Sequence, residues 1–278
     1  MEKTLTPSRP DEVRYRSEKE FHDRWAKEVN VNDLDPLRVF ISPVIPESRY
    51  SIERLGELNG KRILDLGCGY GETSVYLALQ GARVDAVDIS PEMIRCSETL
   101  ARKHNVAQHV TFSVQNAEKL DFEDGRFDLV YGQDVLHHTQ LEKIIPELHR
   151  VLRAGGKGSF SEPLGHNWII NFLRDKTPEV RTEDEHPLKM KDIALFRETF
   201  RKVTHREFHF STLSLLFWFQ VLEWLQKGKE GRAWKRIIEE GGRYQLPFRI
   251  FSTLDRCLFS VVPFLKRYCR MTVISFEK

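Results

Sequence analysis

From Lys61 onward the chain alternates short apolar runs with helical spacings, and that alternation limits the available folds more than any other feature. Residues 62–66 (RILDL), 82–87 (ARVDAV), 110–114 (VTFSV), 127–131 (FDLVY) and 157–161 (KGSFS) have strand length and end near glycine, aspartate or another turn-former. Residues 72–79, 91–104 and 141–152 between them carry helical spacing. Strands separated by helices pair in parallel, with crossover helices on both faces and ligand-binding turns at the carboxyl edge. The expected fold is therefore α/β, built on a doubly wound, mostly parallel sheet.

The flanks read differently. Residues 1–14 contain Pro7, Pro10 and mostly polar neighbours, the composition of a mobile lead-in. Phe21 and Trp25 then stand four apart among charges, which predicts an amphipathic helix over 17–29 capped by Ser17 with Glu20 three residues on. After Pro43 and Pro46 a second short helix is expected over 47–55, so 15–58 read as an N-terminal helical cap and 59–210 as the core. Residues 187–200 read as a helix, while 203–210 (VTHREFHF) and 271–276 (MTVISF) read as two more strands. The segment between those strands, 211–268, is too long and too apolar for a loop and is expected to be a helical insertion before the last strand, 269–278.

Charge is uneven along the chain. Lys+Arg 43 against Asp+Glu 41 leaves a net charge of +2, without the broad basic field of a dedicated nucleic-acid binder, so none is expected as partner. Residues 211–270 nevertheless hold eleven Lys or Arg and five Asp or Glu, so the insertion is basic and the rest acidic. With the apolar run at 213–225 (LSLLFWFQVLEWL), this insertion could cover an apolar acceptor pocket, form a homodimer contact, or rest peripherally on an anionic membrane. Covering the pocket is the leading expectation. The 4 cysteines form no C-x-x-C pair and suit a reducing cytosol, the N-terminus lacks an apolar signal-peptide core, and a cytoplasmic location is expected.

Asp65, Leu66, Gly67, Cys68, Gly69, Tyr70 and Gly71 end the first strand and open a helix. Glycines at alternate positions let the backbone turn sharply and let a ligand pack against the main chain. A nicotinamide dinucleotide site would want G-x-G-x-x-G, but Glu72 fills the third glycine position and repels a pyrophosphate. A zwitterion with an ammonium group suits this loop better. About twenty residues on, Asp88 ends the second strand, where a carboxylate can accept hydrogen bonds from both ribose hydroxyls. Its alternative role is an N-cap, which Ser90 before Pro91 can fill instead.

The loop LDLGCG, the acidic end of the second strand, AEKLDFEDGRFDLVYGQDVLHH and LHRVLRAGGKGSFSEP together resemble the class I S-adenosylmethionine-dependent methyltransferases, in the branch that includes the ubiquinone and menaquinone C-methyltransferases. The resemblance covers about residues 62–163. It implies a Rossmann-like doubly wound, mostly parallel seven-stranded sheet and S-adenosyl-L-methionine as cofactor, with S-adenosyl-L-homocysteine as product. It also implies that Asp65, Gly67, Gly69 and Gly71 surround the methionine part and that Asp88 binds the ribose. Ile89 and Met93 would flank the adenine, Asn116 and Ala117 would meet its edge, and Gln133 would line the transfer site. Many relatives carry aspartate where this chain has Asn116, whose amide oxygen can still accept a hydrogen bond.

The implied activity is in-line methyl transfer to a small, partly apolar acceptor. An RNA or protein methyltransferase is the alternative enzyme reading, although no N-P-P-Y-like motif is present; a non-catalytic cofactor-binding scaffold is the other. His137 and His138, after the fourth strand, are candidate catalytic groups or structural residues at a helix start. Glu162 and His166, after the fifth strand, are candidate substrate ligands, with a helix starting at Asn167 as the alternative for the latter. Phe21, His22 and Trp25 either wall the acceptor pocket or pack in the core. The run Thr182, Glu183, Asp184, Glu185, His186 is expected as a solvated acidic loop, which could still fold over the acceptor as part of a lid, and His205 and His209 as structural residues without a third ligand, so no metal site is expected.

Overall fold

The computed structural model describes residues 10–176, 181–215, 217, 218, 242 and 245–278. Seven strands form one sheet: β1 (Arg62–Leu66), β2 (Arg83–Asp88), β3 (Val110–Val114), β4 (Phe127–Gln133), β5 (Leu152–Pro163), β6 (Arg201–Phe208) and β7 (Met271–Glu277). Their order is β3-β2-β1-β4-β5-β7-β6. The first five run parallel, and β7 lies antiparallel to both β5 and β6. From β1 the chain winds outward through β2 to β3 and then crosses to β4 on the other side of β1. The β1/β4 junction is thus the point where strand order reverses and a crevice opens at the carboxyl edge.

Helices α1 (Asp11–Lys27), α2 (Pro36–Ile41), α3 (Pro46–Leu55), α4 (Glu72–Leu79), α5 (Pro91–Lys103), α6 (Leu141–Val151), α7 (Trp168–Asp175), α8 (Ile193–Thr199) and α9 (Gln245–Val261) surround it. One core layer joins Leu64, Val130, Leu136, Ile144, Leu148, Phe160 and Phe276; the other joins Ile63, Val75, Leu77, Leu100, Leu129 and Tyr131. Central strands are buried on both faces, so Ile63, Leu64, Asp65 and Leu66 are all buried and the run reads as continuous rather than alternating. At α5, Ser90 accepts from the N–H of Met93 at 3.1 Å and Pro91 occupies the first turn, so Ser90 is the cap.

Helix α1 begins at Asp11, not at Ser17, and Ser17 lies in its interior. Residues 11–14 therefore do not belong to a mobile lead-in, and residues 1–9 lie outside the described set. The segment DEVR offers no apolar stripe to read, but its charges are paired: the Arg14 guanidinium donates to Glu118 at 2.8 and 2.9 Å and to the His138 carbonyl at 3.0 Å. Strand β6 ends at Phe208 rather than 210, and His209 turns the chain with φ of 65°. The apolar run at 213–225 and much of the basic stretch lie largely outside the described residues. No helix among those described is long and apolar enough to cross a membrane.

The turn after β4 is held by Glu162, a fully buried carboxylate near the end of β5. It accepts from the N–H groups of Val135 (2.9 Å), Leu136 (2.8 Å) and His137 (3.4 Å), and its Oε2 lies 2.7 Å from His137 Nδ1. Burial disfavours a charged His137, yet Glu162 and Glu185 outweigh it and raise the imidazole from 6.5 to about 10. Glu162→Ala leaves that cation without its principal partner and should cost about 3–5 kcal/mol, measured by urea unfolding. Because the folded value is the higher one, the stability from His137 is complete below pH 6.5 and is lost as pH rises through 10. The urea midpoint should fall across that interval in the native chain and fall less in His137→Gln.

Candidate functional site

A cleft of ≈ 540 Å³ opens at the carboxyl edge beside the β1/β4 junction. Its floor includes Asp65, Gly67, Gly69, Asp88, Gln133 and Asp134; Ile89, Met93, Asn116 and Ala117 form one end. Gly67 has φ of 68°, and a Cβ there would stand 2.6 Å from Val135 Cγ2, so conformation and packing both require glycine. Gly71 is different. A Cβ on it would meet Ser97 Cα at 2.8 Å, and it does not line the cleft. It serves the close approach of α4 to α5.

Asp88 is tied into the loop that it faces. Its Oδ2 accepts from the N–H of Gly69 and its Oδ1 from the N–H of Ser90, both at 2.9 Å. Two of a carboxylate's roughly four acceptor directions are thereby used, leaving two. Asp65 accepts from Ser74 Oγ at 2.5 Å. Burial, against that hydrogen bond and with the help of the Asp88 charge, pushes Asp65 up to about 7. Gln133 accepts from the Tyr131 hydroxyl at 3.0 Å. Asn116 turns its side-chain oxygen to the N–H of Glu118 at 2.9 Å, an Asx turn beneath the cleft.

The candidates on the acceptor side divide sharply. Phe21, His22 and Trp25 all line the cleft; Phe21 is buried and its ring centroid lies 5.0 Å from that of Trp25. His137 and His138 both line it as well, in different charge states. His137 is held as a cation and has no free lone pair for base catalysis. His138 is lowered by burial and by the neighbouring His137 charge, and stays neutral near pH 7. Glu162 and His166 do not line the cleft. Glu162 spends its oxygens on the β4 turn, and His166 Nε2 accepts from the N–H of Met190 at 3.0 Å, so neither is placed to touch a substrate. Asn167 caps α7 through the N–H groups of Ile169 and Ile170.

The run at 182–186 is not simply a solvated loop. Thr182 Oγ1 hydrogen-bonds Glu18, and Glu185 lies 3.3 Å from His137 Nε2 and 2.7 Å from Arg174. Arg174, Arg181 and Glu185 consequently line the cleft, with Ile170 from α7. The described part of the insertion lines none of it. Its helix α9 instead borders a second cavity with α3 and β6. Among the described residues, α1, α7 and residues 181–185 cover the site, while most of the apolar run to which the sequence assigns that role lies outside the described residues.

Several cleft residues carry no sequence prediction: Arg14, Glu18, Glu118, Asp134, Arg174 and Arg181. Asp134 follows Gln133 at the ligand-binding edge, and that position alone is a signal for it. It has φ of 53°, and burial pushes it up to about 6. Glu18 stands four residues before His22, a spacing that puts both on one helix face. The arginines come from chain segments with no local signal.

A protein family described as "Methyltransferase domain" matches residues 64–160. The chain is 38% identical over 97 residues to norajmaline N-methyltransferase of Rauvolfia serpentina, a match covering 34% of this chain and 33% of that one. It is 32% identical over 177 residues to sarcosine/dimethylglycine N-methyltransferase of Halorhodospira halochloris, covering 59% of this chain and 63% of the relative. These matches thus span less than two thirds of either relative's length. Among solved structures, phosphoethanolamine N-methyltransferase 2 of Haemonchus contortus, in complex with S-adenosyl-L-methionine, superposes with a TM-score of 0.60 at 18% identity. That superposition covers 84% of this chain and 52% of the other, and it speaks to the fold. Residues 64–160 thus match the methyltransferase-domain family, and the seven-stranded sheet with its glycine loop at the β1 edge has the fold of the class I S-adenosylmethionine-dependent methyltransferases.

Proposed function

We propose that this chain transfers a methyl group from S-adenosylmethionine to a small, partly apolar acceptor. The observation that carries this reading is the cleft itself, which Asp65, Gly67, Gly69, Asp88, Ile89, Met93, Asn116 and Ala117 line together. Asp88 retains two acceptor directions for ribose hydroxyls, Ile89 and Met93 offer apolar contact for adenine, and Asn116 with Ala117 lies at its edge. Asp65, about half protonated near pH 7 without a ligand, becomes the counter-ion of the methionine ammonium. Gln133 belongs to the side where the methyl group leaves.

A sulfonium methyl is already activated, so the chain's task is to align the acceptor with the sulfur–carbon bond and exclude water. The cover formed by α1 and the 182–185 segment suits that task. Phe21, Trp25 and Ile170 supply apolar surface, and Arg14, Arg174 and Arg181 supply charge. Where the acceptor arrives protonated, His138 is the group in the right charge state to accept a proton. The related N-methyltransferases act on amines, which makes a nitrogen acceptor the first class to try.

Calorimetric titration should show S-adenosylmethionine binding and no NAD binding, with Asp88→Ala weakening the former by about 10–100-fold, the worth of one or two hydrogen bonds to a charged group. NAD binding instead would overturn the cofactor assignment. An ammonium beside Asp65 favours its ionised form, so binding expels a proton and affinity falls as pH drops below about 7. Titrations in two buffers of different ionisation enthalpy should register that proton, and Asp65→Asn should abolish it. A screen for released S-adenosylhomocysteine against amines, thiols, phenols and quinols tests the transfer; His138→Ala should lower kcat with an amine or phenol and leave cofactor affinity unchanged.

A further inference from the structure

Glu18, His22 and His138 bring one carboxylate oxygen and two imidazole nitrogens within 4.8 Å of one another on the cleft wall. Glu18 Oε2 stands 3.7 Å from His22 Nε2 and 3.0 Å from His138 Nδ1. The second Glu18 oxygen accepts from Thr182 Oγ1, which fixes the carboxylate, and Glu18 is only 4% exposed. Glu18 Oε2 and His138 Nδ1 are buried and face each other at 3.0 Å, and neither forms a hydrogen bond of good geometry with any described residue. Two possible ligand atoms therefore converge on one point, with a third one helical turn away.

Two imidazoles and one carboxylate form a donor set suited to zinc and its transition-metal neighbours, not to magnesium or calcium. Metal–ligand bonds of about 2.1 Å at tetrahedral angles put neighbouring donor atoms about 3.4 Å apart. The separations of 3.0 and 3.7 Å bracket that spacing. The surrounding charge also favours a cation. Glu162 and Glu185 flank His137, and Glu185 is shared with Arg174, so these groups largely neutralise one another. Glu18 and Asp88 remain as negative charges facing His22.

We propose that Glu18, His22 and His138 bind one zinc-class divalent transition-metal ion, leaving a coordination position open to the cleft for a donor atom of the acceptor; in the metal-bound chain the ion, in place of the His138 lone pair, would favour loss of the acceptor's proton to water. Metal binding itself is independent of the methyl-transfer reading; the part concerning the acceptor rests on it. The full chain, stripped with a chelator, is titrated with Co2+ alone and followed by visible absorption, then with Zn2+ alone by calorimetry. One ion per chain is expected, with visible bands for Co2+, and Glu18→Gln, His22→Ala and His138→Ala should each weaken binding by tenfold or more. Circular dichroism melts of the three variants, whose changes lie on two separate elements, identify any that fail to fold. No binding at millimolar Co2+, or binding that all three folded variants retain, overturns the site. S-adenosylmethionine binding by the stripped native chain, measured in parallel, separates that failure from a failure of the methyl-transfer reading.

Discussion

Glu162 reaches from the end of β5 to three consecutive N–H groups in the turn after β4 and to the ring of His137. A carboxylate in so dry a place would be costly if left alone. Here it is met by backbone donors and by a cation, and the cation is met again by Glu185 from a segment far along the chain. One chain of charges therefore joins β5, the β4 turn and the cover of the cleft. The position of His138, the next residue, follows from the anchoring of His137.

The same pairing of charge attaches α1. Arg14 is held by Glu118 and by the His138 carbonyl, and Asp23 accepts from Ser90 Oγ at 2.5 Å at the start of α5. Tyr15 adds a hydrogen bond to Glu118 at 2.6 Å. An apolar contact between helix and sheet slides at little cost, whereas directional hydrogen bonds from buried charged groups have one register. That register sets Phe21, His22 and Trp25 over the cleft. It also brings Glu18 to His138, two residues far apart in the sequence.

Much of the cofactor side is legible in the sequence. The LDLGCG loop, Asp88 and the β4 edge are local features whose places follow from strand period and turn chemistry, and the cleft gathers Asp65, Gly67, Gly69, Asp88, Asn116 and Gln133. At Gly71 a positive φ and a close packing contact produce the same residue choice as a ligand contact, so sequence does not separate the two. Glu162 misleads because its position at the ligand-binding edge is compatible with pointing either way, and its partners are main-chain N–H groups that sequence does not display. Residues 11–14 look like a lead-in because paired charges leave no hydrophobic stripe.

Periodicity is a property of neighbouring residues, so the sequence alone determined the α/β class, the strand run from β1 to β5, the glycine turn and the acidic end of β2. Charge state and coverage are properties of residues distant in the chain. Only tertiary structure decided that His137 is a fixed cation while His138 is neutral, since that depends on which carboxylates approach each ring. It likewise decided that α1 and the 182–185 segment roof the cleft, and that Glu18, His22 and His138 share one point in it. Burial turns such long-range pairings into strong ones, because water no longer screens the charges that meet there.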